Sequence, residues 1–154
     1  LLEGGLRVPL IVSWPRRIPR GRISHQVTIT MDLVATCLAA GGAAMPTVTP
    51  LDGTDILPQL EGKAADVERT LYWRMRDPEQ RAVRRGKWKY LLIDGKEFLY
   101  DLDYDCRERT DFNEKHPDVL AELRAEWERW NAGMLPMAAQ PPQGRLIDLA
   151  AMRW

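Results

Sequence analysis

Apolar and polar residues alternate from Thr70 to Asp101, and this period of two predicts β-strands. Three stretches rich in turn-forming residues interrupt the alternation: Asp77-Pro78-Glu79, Arg85-Gly86 and Asp94-Gly95. The Asp-Gly pair is a strong hairpin signal because both residues tolerate positive φ. The sequence therefore predicts an antiparallel meander of four strands, at residues 70–75, 80–84, 87–93 and 97–101.

The third strand indicates how this sheet is covered. Trp88, Tyr90 and Leu92 share one face, and the other face carries Lys87, Lys89 and Leu91, so we expect a sheet buried on one side. A helix beginning at Pro117 supplies the cover, because large apolar residues recur along it at helical spacing: Leu120, Leu123, Trp127 and Trp130. Prolines at positions 136, 141 and 142 favour an extended tail over residues 133–154.

Residues 1–62 follow a different pattern. Val8 to Ser13 is a continuous apolar run after a Glu-Gly-Gly turn, which suits a strand buried on both faces of a mostly parallel sheet. The backbone groups of such a strand need hydrogen-bonded neighbours on both sides. We therefore expect the chain to begin in mid-domain, with the neighbouring strands supplied by a preceding part of the protein.

Two short helices follow an exposed, arginine-rich loop at residues 16–22. Thr30 or Asp32 can cap the first helix, and Gly41-Gly42 ends it. Its predicted buried face consists of Leu33, Val34, Cys37, Leu38 and Ala40. The second helix is brief, follows a turn in the stretch 51–62, and ends at Gly62.

The overall composition excludes some classes of partner. Twenty-two basic residues balance twenty-two acidic ones, so no net charge attracts nucleic acid or an anionic membrane, and neither is predicted as a partner. The longest apolar run is far shorter than the roughly 20 residues of a membrane-spanning helix. Cys37 and Cys106 lack the spacing of a metal site or a disulfide framework, so two free thiols are predicted. The location of the protein stays open.

Side chains that commonly carry catalysis are sparse. His25 lies in a loop and His116 precedes a predicted helix, where capping and solvent-exposed roles are the usual ones. Cys106 lies among arginines without the His or Asp arrangement of a nucleophilic site. One acidic stretch resembles a calcium loop but lacks its glycine and its final glutamate, and a solvated turn is predicted there. It contains Asp101, Asp103, Asp105 and Glu108.

Several segments, in order along the chain, resemble the sulfatase family, which is arylsulfatase-like and part of the alkaline phosphatase superfamily. The first is Glu3-Gly4-Gly5-Leu6-Arg7-Val8-Pro9 with Ser13-Trp14-Pro15, similar to the family's E-G-G-x-R-x-P and W-P segment. The next are Thr30-Met31-Asp32-Leu33-Val34-Ala35-Thr36 and Leu51-Asp52-Gly53-Thr54-Asp55-Ile56-Leu57-Pro58-Gln59-Leu60. The last are Arg81-Ala82-Val83-Arg84-Arg85-Gly86-Lys87-Trp88-Lys89-Tyr90, Glu97-Phe98-Leu99-Tyr100-Asp101-Leu102 and His116-Pro117.

This resemblance implies an α/β fold, α+β within this segment: the C-terminal part of an alkaline-phosphatase-like sandwich, with a four-stranded antiparallel sheet packed by a C-terminal helix. It assigns residues 1–62 to the end of the large α/β domain, residues 69–132 to a small sheet-and-helix lobe, and residues 133–154 to an extended tail. Two positions depart from the family, which usually has Leu at position 37 and Pro at position 106, and neither departure carries a function.

The family's mechanism uses a formylglycine made from a C/S-x-P-x-R motif, a calcium ion held by Asp and Asn, and Lys and His side chains that bind the sulfate. Neither Cys37-Leu38-Ala39 nor Cys106-Arg107-Glu108 fits that motif. The family's sulfate-binding Lys lies a few residues before the Glu of the E-G-G segment, ahead of Leu1 here. We therefore assign no catalytic and no metal-binding residue to this chain, leave its substrate-binding residues unknown, and expect it to be inactive alone.

Three functions stay open at this point. The first is the C-terminal segment of a sulfatase, with the N-terminal catalytic part of the same enzyme as partner and a small-molecule or sugar sulfate ester as substrate. The second is the same segment of a phosphonate or phosphate-ester hydrolase of the superfamily. The third is a non-catalytic binding or assembly module that pairs through its open first strand.

Overall fold

A computed structural model describes residues 1–76 and 79–137 of the chain. It contains four helices in the described residues: α1 (Glu3–Leu6), α2 (Thr30–Ala40), α3 (Leu57–Glu61) and α4 (Pro117–Ala132). It contains four strands in the same residues: β1 (Thr70–Met75), β2 (Gln80–Arg85), β3 (Trp88–Ile93) and β4 (Lys96–Asp101). Most of the predicted tail, residues 138–154, lies outside the described residues, so that prediction stays a prediction.

The four strands form one antiparallel sheet in the order β1-β2-β3-β4, which confirms the predicted meander. Each strand lies within a residue of its predicted limits. The turn between β3 and β4 has positive φ at both Asp94 (52°) and Gly95 (70°), as the Asp-Gly pair predicts. Gly86 supplies a third positive φ (54°) between β2 and β3.

Helix α4 covers one face of the sheet, as predicted. Leu123 and Trp127 of the helix are buried against Val83, Tyr90 and Leu99 of three strands. The Trp127 indole donates a hydrogen bond of 3.0 Å to the backbone carbonyl of Trp73. At the edge of the same cluster the rings of Tyr72 and Trp130 stack with their centroids 5.0 Å apart. The predicted aromatic anchors therefore connect the helix to the sheet.

The opposite face of the sheet is also buried, so the prediction of a sheet buried on one side was wrong. Leu91 is fully buried there with Ala82, Tyr100 and Leu102, and Leu1 packs against this second cluster. Alternation within one strand cannot reveal this cover, because the covering residues come from the N-terminus and from the loop after β4. Lys89 was assigned to an exposed face because of its charge, yet its side chain has no exposed surface.

The N-terminal run is the second difference from the sequence prediction. A short helix, α1, replaces the predicted Glu-Gly-Gly turn, and residues 7–14 form no strand. Val8 is 72% exposed and Ile11 is 91% exposed. A strand forms only where its backbone groups find partners in a neighbouring strand. Among the described residues no strand pairs with this run, and the Val8 N–H donates to the nearby Leu6 carbonyl instead. The place of the run as an internal strand of a larger sheet stays a prediction.

Helix α2 buries a different face from the predicted one. Asp32 and Ala35 are its buried residues, whereas Val34 and Cys37 are exposed. The acidic side chain is buried because three donors converge on it. Helix α3 ends at Gly62, which adopts the left-handed conformation with φ 77°, as predicted. No helix among the described residues combines the length and the apolar character needed to cross a membrane.

Candidate functional site

The acidic stretch after β4 uses its carboxylates to hold its own loop and the sheet. Asp101 Oδ2 lies 2.7 Å from Lys87 Nζ, and Asp101 Oδ1 accepts hydrogen bonds from the backbone N–H groups of Asp103 and Tyr104. Burial acts to raise the pKa of Asp101, but these hydrogen bonds outweigh it, so the pKa lies below its ordinary value. Asp101 is buried, contrary to the predicted solvated turn.

Glu108 is the second departure from a solvated turn. Its backbone is left-handed, with φ 55°, which is uncommon for a residue other than glycine. This conformation accompanies a side chain that is only 3% exposed and lies 2.7 Å from Lys89 Nζ. Asp105, between these two residues, accepts three backbone hydrogen bonds from Arg107, Arg109 and Thr110. The loop is therefore organised by its own donors.

These contacts decide whether the loop can hold the calcium ion that the resemblance implies. A calcium site needs several carboxylate or carbonyl oxygens that converge on one point. Here the carboxylates of Asp101, Asp105 and Glu108 each face ammonium or N–H donors instead. Within the described part of the chain, no group of three or more His, Cys, Asp or Glu side chains is placed to hold a metal ion. The residues present do not fit the ion.

The histidines and cysteines take no part in any catalytic grouping that the structure shows. The His116 ring packs against Trp88, with centroids 4.9 Å apart, and it makes no side-chain hydrogen bond that caps α4. His25 is exposed and lines a shallow cleft of about 530 Å³ between its own loop and the β2–β3 hairpin. Cys37 and Cys106 are exposed free thiols, as predicted.

One stretch with the spacing of the formylglycine motif was missed by the sequence analysis. Ser13-Trp14-Pro15-Arg16-Arg17 reads S-x-P-x-R, but its W-P pair is also the one that aligns it with the E-G-G segment. Ser13 is exposed on the extended run. Arg17 stacks over the Trp14 ring at 4.7 Å and pairs with Glu61, so it holds the loop against α3. Among the residues that the structure describes, no group of metal-binding side chains lies near Ser13.

A buried ionic cluster, which sequence analysis also missed, joins the N-terminus to the sheet. Lys89 Nζ lies 2.8 Å from Glu3 Oε1, 2.7 Å from Glu108 Oε1 and 2.9 Å from the Leu1 carbonyl oxygen. Glu108 Oε2 accepts a hydrogen bond of 2.6 Å from the Glu3 backbone N–H. One sequence signal could have indicated that Lys89 is buried: it lies two residues before the apolar Leu91, on the same face of β3. We call these four residues the Lys89 cluster.

Asp32 forms a second buried junction. Its carboxylate accepts hydrogen bonds of 2.8 Å from the N–H groups of Ile29 and Thr54, and it pairs with Arg69 at 2.6 Å. Burial acts to raise the pKa of Asp32, but the Arg69 and backbone hydrogen bonds outweigh it and hold the pKa below its usual value. A Cβ added to Gly53 would lie 2.1 Å from the Met31 carbonyl oxygen. The two sequence segments around Asp32 and Gly53 therefore form one structural unit.

The family described as N-sulphoglucosamine sulphohydrolase, C-terminal, matches residues 1–132. The chain belongs to this sulfatase family. Arylsulfatase A of Bos taurus is 37% identical to the sulfatase segment over 127 residues, which are 79% of this chain and 25% of that protein. N-acetylgalactosamine-6-sulfatase of Canis lupus familiaris is 44% identical over 87 residues, 56% of this chain and 16% of that protein. The segment thus spans a quarter or less of these relatives.

Solved structures place the same segment in the same fold. The structure of Ps i-CgsB in complex with k-i-k-neocarrahexaose superimposes with a TM-score of 0.64 at 27% identity, covering 76% of this chain and 27% of that one. The four-stranded antiparallel sheet with its C-terminal helix, predicted from sequence, is therefore the C-terminal architecture of the sulfatase, alkaline-phosphatase-like fold. Every predicted segment of the resemblance falls within the matched residues.

Proposed function

We propose that this chain is the C-terminal part of an enzyme that hydrolyses sulfate esters, and that it supports an N-terminal catalytic part of the same protein. The observation that carries the proposal is the family match over residues 1–132, together with two sulfatase relatives at 37% and 44% identity. The formylglycine and calcium that the resemblance implies are then supplied by the N-terminal part. The substrate class is a sulfated sugar, following the relative that is an N-acetylgalactosamine-6-sulfatase.

The exposed apolar run at residues 8–13 supports the proposal that an N-terminal catalytic part packs against this chain. Val8, Leu10, Ile11 and Val12 are 40% to 91% exposed, and they line a cleft of about 1190 Å³. Leu71 and Trp73 of β1 line the same cleft from the small lobe, by which we mean residues 69–132. Exposed apolar surface next to unpaired backbone marks a surface that another element covers. In the proposal, strands of the N-terminal catalytic part pair with this run and fill the cleft.

The test uses the intact enzyme, in which this chain follows its N-terminal catalytic part. Purified enzyme should hydrolyse p-nitrophenyl sulfate and N-acetylgalactosamine 6-sulfate, whereas the 154-residue chain alone should hydrolyse neither. A phenyl phosphonate ester serves as the matched alternative substrate. Turnover of the phosphonate ester without turnover of either sulfate would overturn the proposal in favour of a phosphonate hydrolase. Sulfatase activity of the purified chain alone would overturn the division between the two parts.

A further inference from the structure

The Lys89 cluster connects three segments that are far apart in sequence. Lys89 lies in the middle of β3, Glu3 and Leu1 lie at the N-terminus, and Glu108 lies in the loop after β4. The side chains of all three charged residues are at most 5% exposed. Arg84 Nη1, on the neighbouring strand, lies 3.8 Å from Glu3 Oε2. Two cations therefore face two carboxylates, and the buried charges balance.

Two contacts of the cluster bind the backbone of residues 1–3 directly. Lys89 binds the Leu1 carbonyl, and Glu108 accepts the Glu3 N–H. The first three residues are thus held by donors and acceptors from β3 and the loop after β4. Their direction relative to the sheet is set by directional polar contacts in addition to apolar packing.

Stability alone does not account for this arrangement. Buried ion pairs are often no more stabilising than apolar side chains of the same volume, because desolvation offsets their attraction. The left-handed backbone of Glu108 (φ 55°) adds a conformational cost, because residues other than glycine rarely adopt it. What the cluster supplies, and an apolar filling does not, is one fixed orientation of the chain at Leu1.

We propose that Lys89 is a positioning residue, which acts through Glu3 to fix the segment that joins the catalytic part to the small lobe. The inference rests on the proposed function, because it assigns Lys89 a role in the geometry of the enzyme's active part. Loss of the cluster shifts that part relative to the lobe. Displacements of about 1 Å can lower a rate roughly 100-fold, so the turnover number of the enzyme is the sensitive quantity.

The experiment compares variants of the intact enzyme. Lys89→Met alone leaves two carboxylates buried opposite too little positive charge, so it risks unfolding the lobe. The triple variant Glu3→Gln, Lys89→Met, Glu108→Gln removes both carboxylate charges and the Lys89 charge at similar side-chain volumes, and the one cation that it leaves, Arg84, is 20% exposed and can be solvated. We expect it to retain its melting temperature, to lose roughly 10- to 100-fold in kcat for p-nitrophenyl sulfate, and to change much less in KM. Lys87→Met is the matched control, because Lys87 is 46% exposed and pairs with Asp101 outside the Lys89 cluster, and its kcat should stay unchanged.

A second measurement is independent of activity. Amide hydrogen exchange on the 154-residue chain should show faster exchange of residues 3–6 in the triple variant, with the strands of the sheet unchanged, and no such effect in Lys87→Met. Unchanged protection of residues 3–6, or an unchanged kcat in a folded triple variant, would overturn the positioning role. An intact wild-type enzyme inactive on sulfate esters, with the exchange result as expected, would overturn the proposed function and leave the anchoring of residues 1–3 by Lys89 supported.

Discussion

The small lobe and residues 1–62, the N-terminal region, bury their apolar residues to very different extents. In the small lobe both sheet faces are covered, and Val83, Leu91, Leu99 and Leu123 have no exposed surface. In the N-terminal region Val8 and Ile11 are 72% and 91% exposed, and its buried residues include the charged Asp32 and Glu3. The small lobe builds most of its core from consecutive hairpins and one helix, and Leu1 packs against its second sheet face. The N-terminal region is fixed by polar junctions and leaves its apolar run uncovered.

The largest effect is expected in the core of the small lobe. Trp127→Ala removes a buried indole that fills the space between α4 and the sheet and donates to the Trp73 carbonyl. Truncating a large buried aromatic costs about 3–5 kcal/mol, so the urea midpoint of the chain should fall sharply. Trp14→Ala, in the N-terminal region, is the matched control and should shift the midpoint little. Equal shifts would show that the two regions do not differ as described.

The second prediction concerns the polar junction of the N-terminal region. Asp32→Ala removes the partner of Arg69 and of two backbone N–H groups. Breaking one side of a buried pair costs about 3 kcal/mol or more, and we expect α2 and the turn at Thr54 to lose amide protection before the sheet does. Asp52→Asn, at an exposed position of the same motif, is the control. Full protection of α2 in Asp32→Ala would contradict the role of this junction.

The third prediction is that the stability of the folded chain depends on pH through the buried carboxylates of Asp32 and Asp101. The pKa values of Asp32 and Asp101 are lowered in the folded chain, so their stabilising contribution is present above the unfolded Asp pKa, about 3.9. It is lost as pH falls through the folded values. Urea midpoints should therefore decrease below about pH 4, and Asp32→Asn should reduce that decrease. A wild-type midpoint that is constant down to pH 2.5, roughly, would contradict the lowered pKa values.

The smallest effect on stability is expected at the exposed run. Ile11→Ser replaces a side chain that is 91% exposed, and surface changes of this kind alter stability by about 0.5 kcal/mol or less. In the 154-residue chain the urea midpoint should therefore stay the same, and the amides of residues 10–12 should exchange rapidly in both proteins. In the intact enzyme the same substitution should be clearly destabilising, because the proposal places this residue between strands. No difference between the two contexts would remove the evidence for a covering partner.

The sequence predictions were more successful for the small lobe than for the N-terminal region. Strand limits and anchors of the small lobe could be predicted because the alternation, the Asp-Gly turn and the spacing of Leu123 and Trp127 are local signals. The cover of the second sheet face could not, since it comes from Leu1 and Glu108, distant in sequence. Asp32, a predicted candidate cap of α2, does accept the N–H of the N-cap residue Ile29, but Lys89 was misplaced on an exposed face. A charged side chain indicates an exposed position unless its partners are known, and those partners are apparent only in three dimensions.

The run of Val8 to Ser13 shows the opposite limit of sequence analysis. Its apolar character predicts burial, but a strand is a property of a pair of segments. With no strand partner among the described residues, the run has no regular secondary structure and is exposed. The sequence analysis assigned no catalytic and no metal-binding residue to this chain, and that assignment stays a prediction. The family match is what connects the chain to sulfatases.

Each strand of the sheet pairs with the strand next to it in sequence, and this has a consequence for how the chain is made. Contacts between consecutive strands are local, and local contacts form quickly. The face of Val83, Tyr90 and Leu99 is nevertheless covered mainly by α4, which ends at Ala132. At ribosomal rates of about 5–20 residues per second, the assembled sheet waits roughly a few seconds for that helix. During that interval the nascent chain presents an aromatic surface that chaperones can bind, so the timing of α4 sets the risk of aggregation.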